Sequence, residues 1–410
     1  MAGAAILAGA LLFSSACACA APPPLKIALL APLSGPMALQ GESVSRQLHA
    51  AADDVNARGG LFGETKIEIV DFDDQLSPQQ GLIALQSAVG QDIRFVTQGL
   101  GSSVGLALTD AIAKHNAREP DHPVVFLNYG GLDPDMTNSK CQYWHFRFDA
   151  HTGMRVDALA EYLRRQPEVH KVYLINQDYA WGQSVSRAAR QTIPAKRPDI
   201  SIVGDDLHPL AKVKDFAPYI AKIKASGADT VVTGNWGSDL SLLVRAGKDA
   251  GLNVQYFVLG TALKGLPTAI GRAGDGTLKV VVPWVRDAAD ADSARFADEF
   301  KRKTGDDWSF EQFRHMLRAL AVASNRARSV DPVAIARSLE GLRTAGDTGE
   351  LRMRAQDHQL FNPLYVATLA RAGSKGVSQD WENSGYGWRA EATIDPKAID
   401  VPTTCTMTRP

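Results

Sequence analysis

Short apolar runs of strand length alternate with helical patterns along most of this chain. Residues 25–30 form such a run, and the next segment carries Val44, Leu48 and Val55 on one face at the period of an α-helix. The same order continues to residue 127 and starts again after residue 147. Strands that alternate with helices form parallel sheets covered by helices on both faces, so we predict an α/β fold.

The two blocks of alternation predict two Rossmann-like lobes. A chain of 410 residues is too long for one ordinary domain and suits two. The last third holds one strand pattern at 278–282, three helix patterns, and two strand patterns at 350–353 and 365–370 that read as an antiparallel pair. We therefore predict that the chain returns to the first lobe and ends on the second. The predicted division is residues 25–146 and 276–352 for the first lobe and residues 147–275 and 353–410 for the second.

The N-terminus has the pattern of an export signal. Ala4 to Phe13 are mostly apolar, and small residues follow as far as Ala21. We expect residues 1–21 to be a signal peptide that places the mature chain in the periplasm. Lipid attachment at Cys17 is a weaker alternative, because Ser14 stands where a leucine is expected.

Composition excludes several other classes of protein. A formal net charge of −1 gives no basic face for nucleic acid. The cysteines and histidines show none of the spacings typical of zinc sites, so we expect no metal and no cofactor. Cys141 and Cys405 remain after the signal, and in an oxidising compartment they could pair as a disulfide.

Several motifs occur in an order that resembles one known family. They are Leu33-Ser34-Gly35-Pro36, Asp54-Val55-Asn56-Ala57-Arg58-Gly59-Gly60, residues 99–103, Phe146-Arg147, Asp178-Tyr179-Ala180-Trp181-Gly182 and residues 227–234. This combination resembles the type I periplasmic binding proteins of the leucine/isoleucine/valine-binding group, which serve branched-chain amino acid ABC transporters. The resemblance implies two lobes joined by three crossing segments, with a small-molecule ligand between them. It also implies a monomer that docks on a membrane permease and does no chemistry.

In the first lobe, the predicted ligand contacts follow two strands. Gly101, Ser102 and Ser103 lie at the start of a helix, where free N–H groups favour a carboxylate. By resemblance, Ser103 holds that carboxylate, although either serine could simply cap the helix. Gly130 and Leu132 follow the next strand, and Leu132 departs from the family because it cannot donate a hydrogen bond.

In the second lobe, aromatic side chains follow the strands. Tyr179, Trp181 and Trp236 match positions where family members place aromatic residues against the ligand. Thr261 lies in Gly260-Thr261-Ala262, where amino-acid binders of the family often carry an acid. The missing acid leaves two ligand classes open: an amino acid, or an apolar or aromatic carboxylic acid. Gln40 and Phe310 match further positions that line the cleft in the family.

Two other functions fit parts of the sequence. Gly101, Ser103 and Gly105 have the spacing of a hydrolase nucleophile elbow, which would make Ser103 a catalytic serine. An amide-type regulator of the same fold would sense a ligand without transport, but it would lack an export signal. The acidic residues Asp71, Asp73 and Asp74 are expected to be a solvated strand end rather than a cation site.

Overall fold

The first lobe is built on a five-stranded parallel sheet. A computed structural model describes residues 22–260 and 263–410, so the predicted signal segment and Cys17 lie outside the described residues. The strands are β1 Leu25–Ala31, β2 Ile67–Asp73, β3 Phe95–Gln98, β4 Val125–Asn128 and β5 His145–Arg147. They pair in the order β2-β1-β3-β4-β5. Helices α1 Ala38–Ala57, α2 Pro78–Gly90 and α3 Ser102–Arg118 connect them.

Strand β1 shows why this sheet forms. Ile27 and Leu29 point into one apolar core, while Ala28 and Leu30 point into another on the opposite face. A strand with both faces covered needs an uninterrupted apolar run, which is what the sequence supplies. The carboxyl ends of all five strands therefore meet at one edge, because the sheet is parallel.

The second lobe repeats this arrangement. Its parallel strands are β6 Lys171–Gln177, β7 Ser201–His208, β8 Thr230–Thr233, β9 Gln255–Val258 and β10 Leu278–Val282. Its helices are α4 Thr152–Leu163, α5 Ala180–Lys196, α6 Ala217–Ser226, α7 Gly237–Asp249 and α8 Leu266–Ile270. Strand β10 corrects the predicted boundary, because the prediction gives residues 276–352 to the first lobe and β10 pairs with β9 in the second sheet.

The chain then returns to the first lobe and comes back. Helices α9 Ala291–Thr304, α10 Glu311–Ala327 and α11 Pro332–Leu339 follow β10, and α10 packs against α1. A small antiparallel sheet, β11 Arg343–Gly346, β12 Gly349–Met353 and β13 Leu360–Phe361, precedes the third crossing between the lobes. Strands β14 Leu364–Arg371 and β15 Tyr386–Ile394 then complete the second sheet beside β10. The predicted pairing of 350–353 with 365–370 is therefore wrong, since these strands belong to different sheets.

The C-terminal tail ends on the first lobe. Cys141 and Cys405 form a disulfide across 264 positions of sequence, and Thr403 Oγ1 donates to the carbonyl of Thr137 at 2.7 Å. On its way the tail is held by Arg354, whose Nη1 lies 2.8 Å from Asp400 Oδ1. The tail thus crosses from the second lobe back to the first, in addition to the crossings that follow β5, β10 and β13.

Candidate ligand-binding site

A narrow cavity separates the strand-end loops of the two lobes. It leaves about 50 Å³ of space, which is far below the several hundred Å³ typical of open ligand pockets. Lys264, which follows the lining residue Leu263, forms an ion pair between the lobes with Asp306, and Arg46 Nε lies 2.8 Å from the same carboxylate. The two lobes are therefore in direct contact beside this cavity, and a larger space of about 270 Å³, lined by Met37 and Gln40 of the first lobe and by Trp236 and Leu263 of the second, adjoins it.

Loops that follow strands of both sheets line this cavity. The lining residues are Gly99, Leu100, Gly101, Ser102, Gly130, Leu132, Asp149, Tyr179, Trp181, Trp236, Gly260, Leu263 and Phe310. They come after β3, β4, β6, β8 and β9, on the crossing after β5, and just before α10. Ligands of open parallel sheets bind beyond the carboxyl ends of the strands, so this is the expected place for a binding site.

Ser102 joins the two loops of the first-lobe wall. It is buried, and its Oγ accepts hydrogen bonds from the backbone N–H groups of Leu132 at 3.1 Å and Asp133 at 3.2 Å. Gly101 before it has a φ of 83°, a conformation that favours glycine and that directs the chain into α3. The hydroxyl hydrogen of Ser102 has no acceptor among the described residues, so it remains free to donate into the cavity.

The second loop of this wall is fixed from behind. Asn128 Oδ1 accepts from the N–H groups of Gly130 at 3.0 Å and Gly131 at 2.7 Å. The buried Arg147 donates through Nη1 to the carbonyls of Gly131 and Asp133. Gly130 therefore shapes the wall, but its N–H is already used. Leu132 presents an apolar side chain to the cavity.

Three aromatic side chains form the second-lobe wall. Trp236 Nε1 donates to Tyr179 Oη at 2.9 Å, and the rings of Tyr179 and Trp181 meet edge to face at 6.4 Å. Trp181 is 6% exposed, and its Nε1 has no hydrogen-bond partner among the described residues. Gly182 fixes the chain after it, since a Cβ there would lie 1.9 Å from the carbonyl oxygen of Gln177. This wall therefore offers flat apolar faces to the cavity.

The one carboxylate among the described lining residues is fully paired. Asp149 is buried, and its oxygens lie 2.7 and 2.8 Å from Arg155 Nη2. Gln312 Nε2 donates to Oδ2 at 2.9 Å, and the N–H of Ala150 donates to Oδ1 at 2.7 Å. Each oxygen thus already accepts two hydrogen bonds. Among the described lining residues, no carboxylate oxygen is left unused to pair with a ligand ammonium group.

The structure brings most of the predicted contact residues together. Gly101, Ser102, Gly130, Leu132, Tyr179, Trp181, Trp236 and Phe310 all line the cavity. Ser103 does not, because it lies one residue further into α3. Gln40 lines the neighbouring larger space instead, where its Nε2 is 3.5 Å from the carbonyl oxygen of Lys264, and Thr261 falls outside the described residues.

Sequence reasoning missed several of the residues that line the cavity. Asp149 and Leu263 are the main ones. Asp149 follows the Phe146-Arg147 motif closely, and that motif is the one signal that could have found it. Its pairing with Arg155 and Gln312 depends on two other segments and has no sequence pattern.

Comparison with known proteins agrees with this geometry. Residues 24–375 match the family model described as periplasmic binding protein. The chain belongs to the periplasmic binding protein family. This periplasmic binding protein is 31% identical over 404 residues to the Leu/Ile/Val-binding protein homolog 4 of Brucella melitensis, covering 94% of this chain and 93% of that one. Its function is solute binding for ABC-type transport, as the sequence predicted.

Solved structures support the same fold. A leucine-, isoleucine-, valine-, threonine- and alanine-binding protein from Brucella ovis, in a closed conformation, aligns with a TM-score of 0.84 at 29% identity, covering 94% of this chain and all of that one. A solute-binding protein from R. palustris in complex with benzoate aligns with a TM-score of 0.76 at 19% identity, covering 93% and 99%. The predicted type I fold with two α/β lobes is confirmed.

The described part of this periplasmic binding protein shows no membrane-spanning helix. Across residues 22–260 and 263–410, every helix is too short or too polar to cross a bilayer.

Asp74 behaves differently from the solvated acid that the sequence predicted. It is buried beside the first-lobe loop, where its Oδ1 accepts from the N–H of Leu76 at 2.8 Å. Burial raises the pKa of Asp74 to about 7, and the neighbouring charge of Asp73 acts in the same direction. The correction has a simple cause: the chain turns inward after β2 and carries this carboxyl under the loop that starts at Gly99.

Asp74→Asn is expected to stabilise the protein at pH 8 but not at pH 4. An unfolded aspartate ionises near pH 3.9, whereas folded Asp74 keeps its proton until about pH 7. The wild type therefore loses stability as pH rises between these values, and asparagine does not. The gain in the free energy of unfolding should reach about 1–3 kcal/mol above pH 7. Urea unfolding from pH 4 to pH 8 measures it.

Asp73→Asn is the matched control. Burial opposes ionisation of Asp73, yet hydrogen bonds from the Ser34 hydroxyl and from the N–H groups of Gln75 and Leu33 leave its pKa lowered. Its pH-dependent contribution to stability changes only below about pH 4, where the unfolded carboxyl takes up its proton, so between pH 4 and pH 8 this variant should differ from the wild type by a nearly constant amount. An Asp74→Asn gain that does not change with pH would contradict the assignment.

A second buried cluster lies behind the first lobe. Donor atoms of Glu311, His315 and Asp347 lie within 4.8 Å of one another and could surround a metal ion by distance alone. Asp347 already pairs with a cationic side chain of the protein, since Arg318 Nη2 lies 2.6 Å from its Oδ1. Trp308 Nε1 donates to Glu311 Oε2 at 2.6 Å. Burial raises the pKa of Glu311 and lowers that of His315 to about 4, so it disfavours charge on both, and the cluster is best described as internal, with Asp347 paired to Arg314 and Arg318.

Proposed function

We propose that this periplasmic binding protein captures a small apolar carboxylate that lacks an α-ammonium group. The observation that carries the proposal is the polarity of the cavity. The hydroxyl hydrogen of Ser102 on its first-lobe wall has no acceptor among the described residues, and each oxygen of the only carboxylate among its described lining residues already accepts two hydrogen bonds. Buried donors left without acceptors are costly, so an anion is favoured over a zwitterion.

The carboxylate is expected at the start of α3. There the N–H groups of Ser102 and Ser103 have no acceptor among the described residues, and the helix dipole favours negative charge. Leu132 and Phe310 then contact an aliphatic or aromatic body. The aromatic wall of the second lobe closes over it, and closure is stabilised only by the ligand's preference for that state.

An amino acid is the second candidate. The names of the Brucella relatives favour it, since they are given as Leu/Ile/Val-binding proteins. Isothermal titration of 4-methylpentanoate and leucine separates the two candidates, because these compounds differ only at the α-ammonium group. We expect the acid to bind at least about tenfold more tightly, since an unpaired ammonium costs more than about 1.4 kcal/mol. Tighter binding of leucine would contradict the proposal.

Ser102→Ala is expected to weaken binding of the acid by about ten- to a hundredfold. A hydrogen bond to a charged group contributes about 1.5–3 kcal/mol, and Ser102 supplies the hydroxyl donor of the first-lobe wall. Ser103→Ala is the control, because it keeps the backbone N–H of the helix start and removes a hydroxyl from a residue that does not line the cavity. Thermal unfolding of both variants separates loss of binding from loss of fold. A larger effect of Ser103→Ala would contradict the assignment to Ser102 and would indicate that the carboxylate binds at Ser103, as the sequence predicted.

The same proposal places the chain in the periplasm as a monomer. There it would deliver its solute, chemically unchanged, to a permease. Ser103 is not hydrogen-bonded to any histidine in the described part of the chain, so it lacks the partner that a serine nucleophile needs. Recovery of the bound acid intact, by mass spectrometry, tests the absence of chemistry. Recovery of a cleaved or modified compound would favour the hydrolase. Fractionation of cells tests the location, and uncleaved cytosolic protein would favour the regulator.

A further inference from the structure

A second cavity, of about 220 Å³, lies on the first lobe between α1 and α10. Its described lining residues include none of those that line the cavity between the lobes. Three of them are arginines, Arg58, Arg314 and Arg318, and Asp54 is the only acid among them. We propose that this arginine cavity binds a small oxyanion of the phosphate class.

The three arginines converge on a single carboxylate oxygen. The Nη2 atoms of Arg58, Arg314 and Arg318 lie 3.1, 2.7 and 3.9 Å from Asp292 Oδ2. Asp292 belongs to α9 and is not among the residues that line the cavity. Cations held this close repel one another, and one carboxylate offsets only one unit of their charge. A second anion, bound in the cavity, would offset more of it.

Two other aspartates pair with these arginines. Arg58 Nε lies 3.1 Å from Asp54 Oδ1, and Arg318 Nη2 lies 2.6 Å from Asp347 Oδ1. These pairs hold the two guanidinium groups in place at the cavity.

Two further charged residue types complete the cluster. Arg295 Nη2 contacts the other oxygen of Asp292 and adds a fourth guanidinium. Glu311 lies 3.7 Å from Arg314, but burial raises the pKa of Glu311 and so favours its uncharged form. Four arginines therefore stand against three aspartates, and the cluster keeps a positive charge at its cavity.

The deepest of these arginines is also fixed before any ligand arrives. The Arg314 side chain is 3% exposed, and its guanidinium lies over the ring of Phe296, 4.6 Å from the ring centroid. Donors that are already ordered lower the cost of binding. The planar fork of a guanidinium matches the oxygens of a phosphate, which carries up to two negative charges. A small oxyanion is therefore favoured over a simple halide.

Isothermal titration with inorganic phosphate and with glycerol 3-phosphate tests the inference, at an ionic strength held constant with chloride. The second compound shows whether the cavity accepts the phosphate group of a larger molecule as well as the free anion. Arg58→Gln changes a side chain that is 53% exposed, so the variant should fold. We expect it to weaken phosphate binding by about ten- to a hundredfold, as for loss of a hydrogen bond to a charged group. Arg318→Gln should act in the same direction.

Arg371→Gln is the matched control. It removes the same charge from a side chain that is 72% exposed on the second lobe, and it should leave phosphate binding unchanged. Ser102→Ala alters the cavity between the lobes and should also leave it unchanged. Absence of phosphate binding at millimolar concentration would overturn the inference. So would an equal effect of Arg58→Gln and Arg371→Gln, or a loss in Ser102→Ala. None of these results bears on the binding of 4-methylpentanoate, so the proposed function is tested separately.

Discussion

Arg155→Met is expected to lower the free energy of unfolding by about 3–5 kcal/mol, the usual cost of breaking a buried ion pair. Arg155 and Asp149 are both fully buried. Arg155 Nη1 also donates to the carbonyl of Val281 in β10, while Asp149 accepts from Gln312 of α10. The pair therefore connects both lobes at the crossing, and methionine would leave Asp149 charged and without its main partner. Urea unfolding measures the loss.

The double variant Asp149→Asn/Arg155→Met is the first control. It removes the stranded charge, so it should recover part of the stability that the single variant loses. Lys140→Met provides the second control, since Lys140 and Asp110 form an ion pair that is 40% and 47% exposed. Exposed pairs contribute at most about 1 kcal/mol. A loss at Arg155 no larger than that at Lys140 would contradict the account of the buried pair.

Removal of the disulfide is the second large effect that we expect. The variant Cys141→Ala/Cys405→Ala should lose about 2–5 kcal/mol of unfolding free energy, because the bond closes a long loop in the unfolded chain. The two cysteines are 264 positions apart. The bond also fastens the tail to the first lobe after β15 has left the second, so limited proteolysis should release the tail of the variant sooner.

Reduction offers an independent measurement of the same bond. Dithiothreitol should lower the urea midpoint of the wild type to that of the double variant and leave the variant unchanged. Equal midpoints for the oxidised and reduced wild type would show that the tail contacts of Thr403 and Arg354 suffice without it.

The features that sequence predicted well are those set by local pattern. The uninterrupted apolar run at β1 required burial on both faces, and parallel pairing put the loops after β6 and β8 at the same edge of the second sheet. Strand order and loop position therefore suffice to place Trp181 and Trp236 at a shared cavity.

The features that sequence missed depend on distant contacts. Ser102 and Ser103 are chemically identical neighbours, and only the turn at Gly101 decides which one lines the cavity. Strand β10 has the same apolar pattern in either lobe, and its pairing with β9 decides its place. Asp74 and Asp149 resemble ordinary surface acids in the sequence, whereas the Leu76 N–H and Arg155 lie beside them in the fold.

A crystal structure of the protein with bound 4-methylpentanoate tests the central claim most directly. The account predicts that one acid molecule occupies the cavity between the lobes. Its carboxylate should lie within hydrogen-bond distance of Ser102 Oγ, and its aliphatic end should contact the face of Trp181 or Trp236. An acid bound outside this cavity, or bound with its carboxylate turned toward the second lobe, would contradict the account.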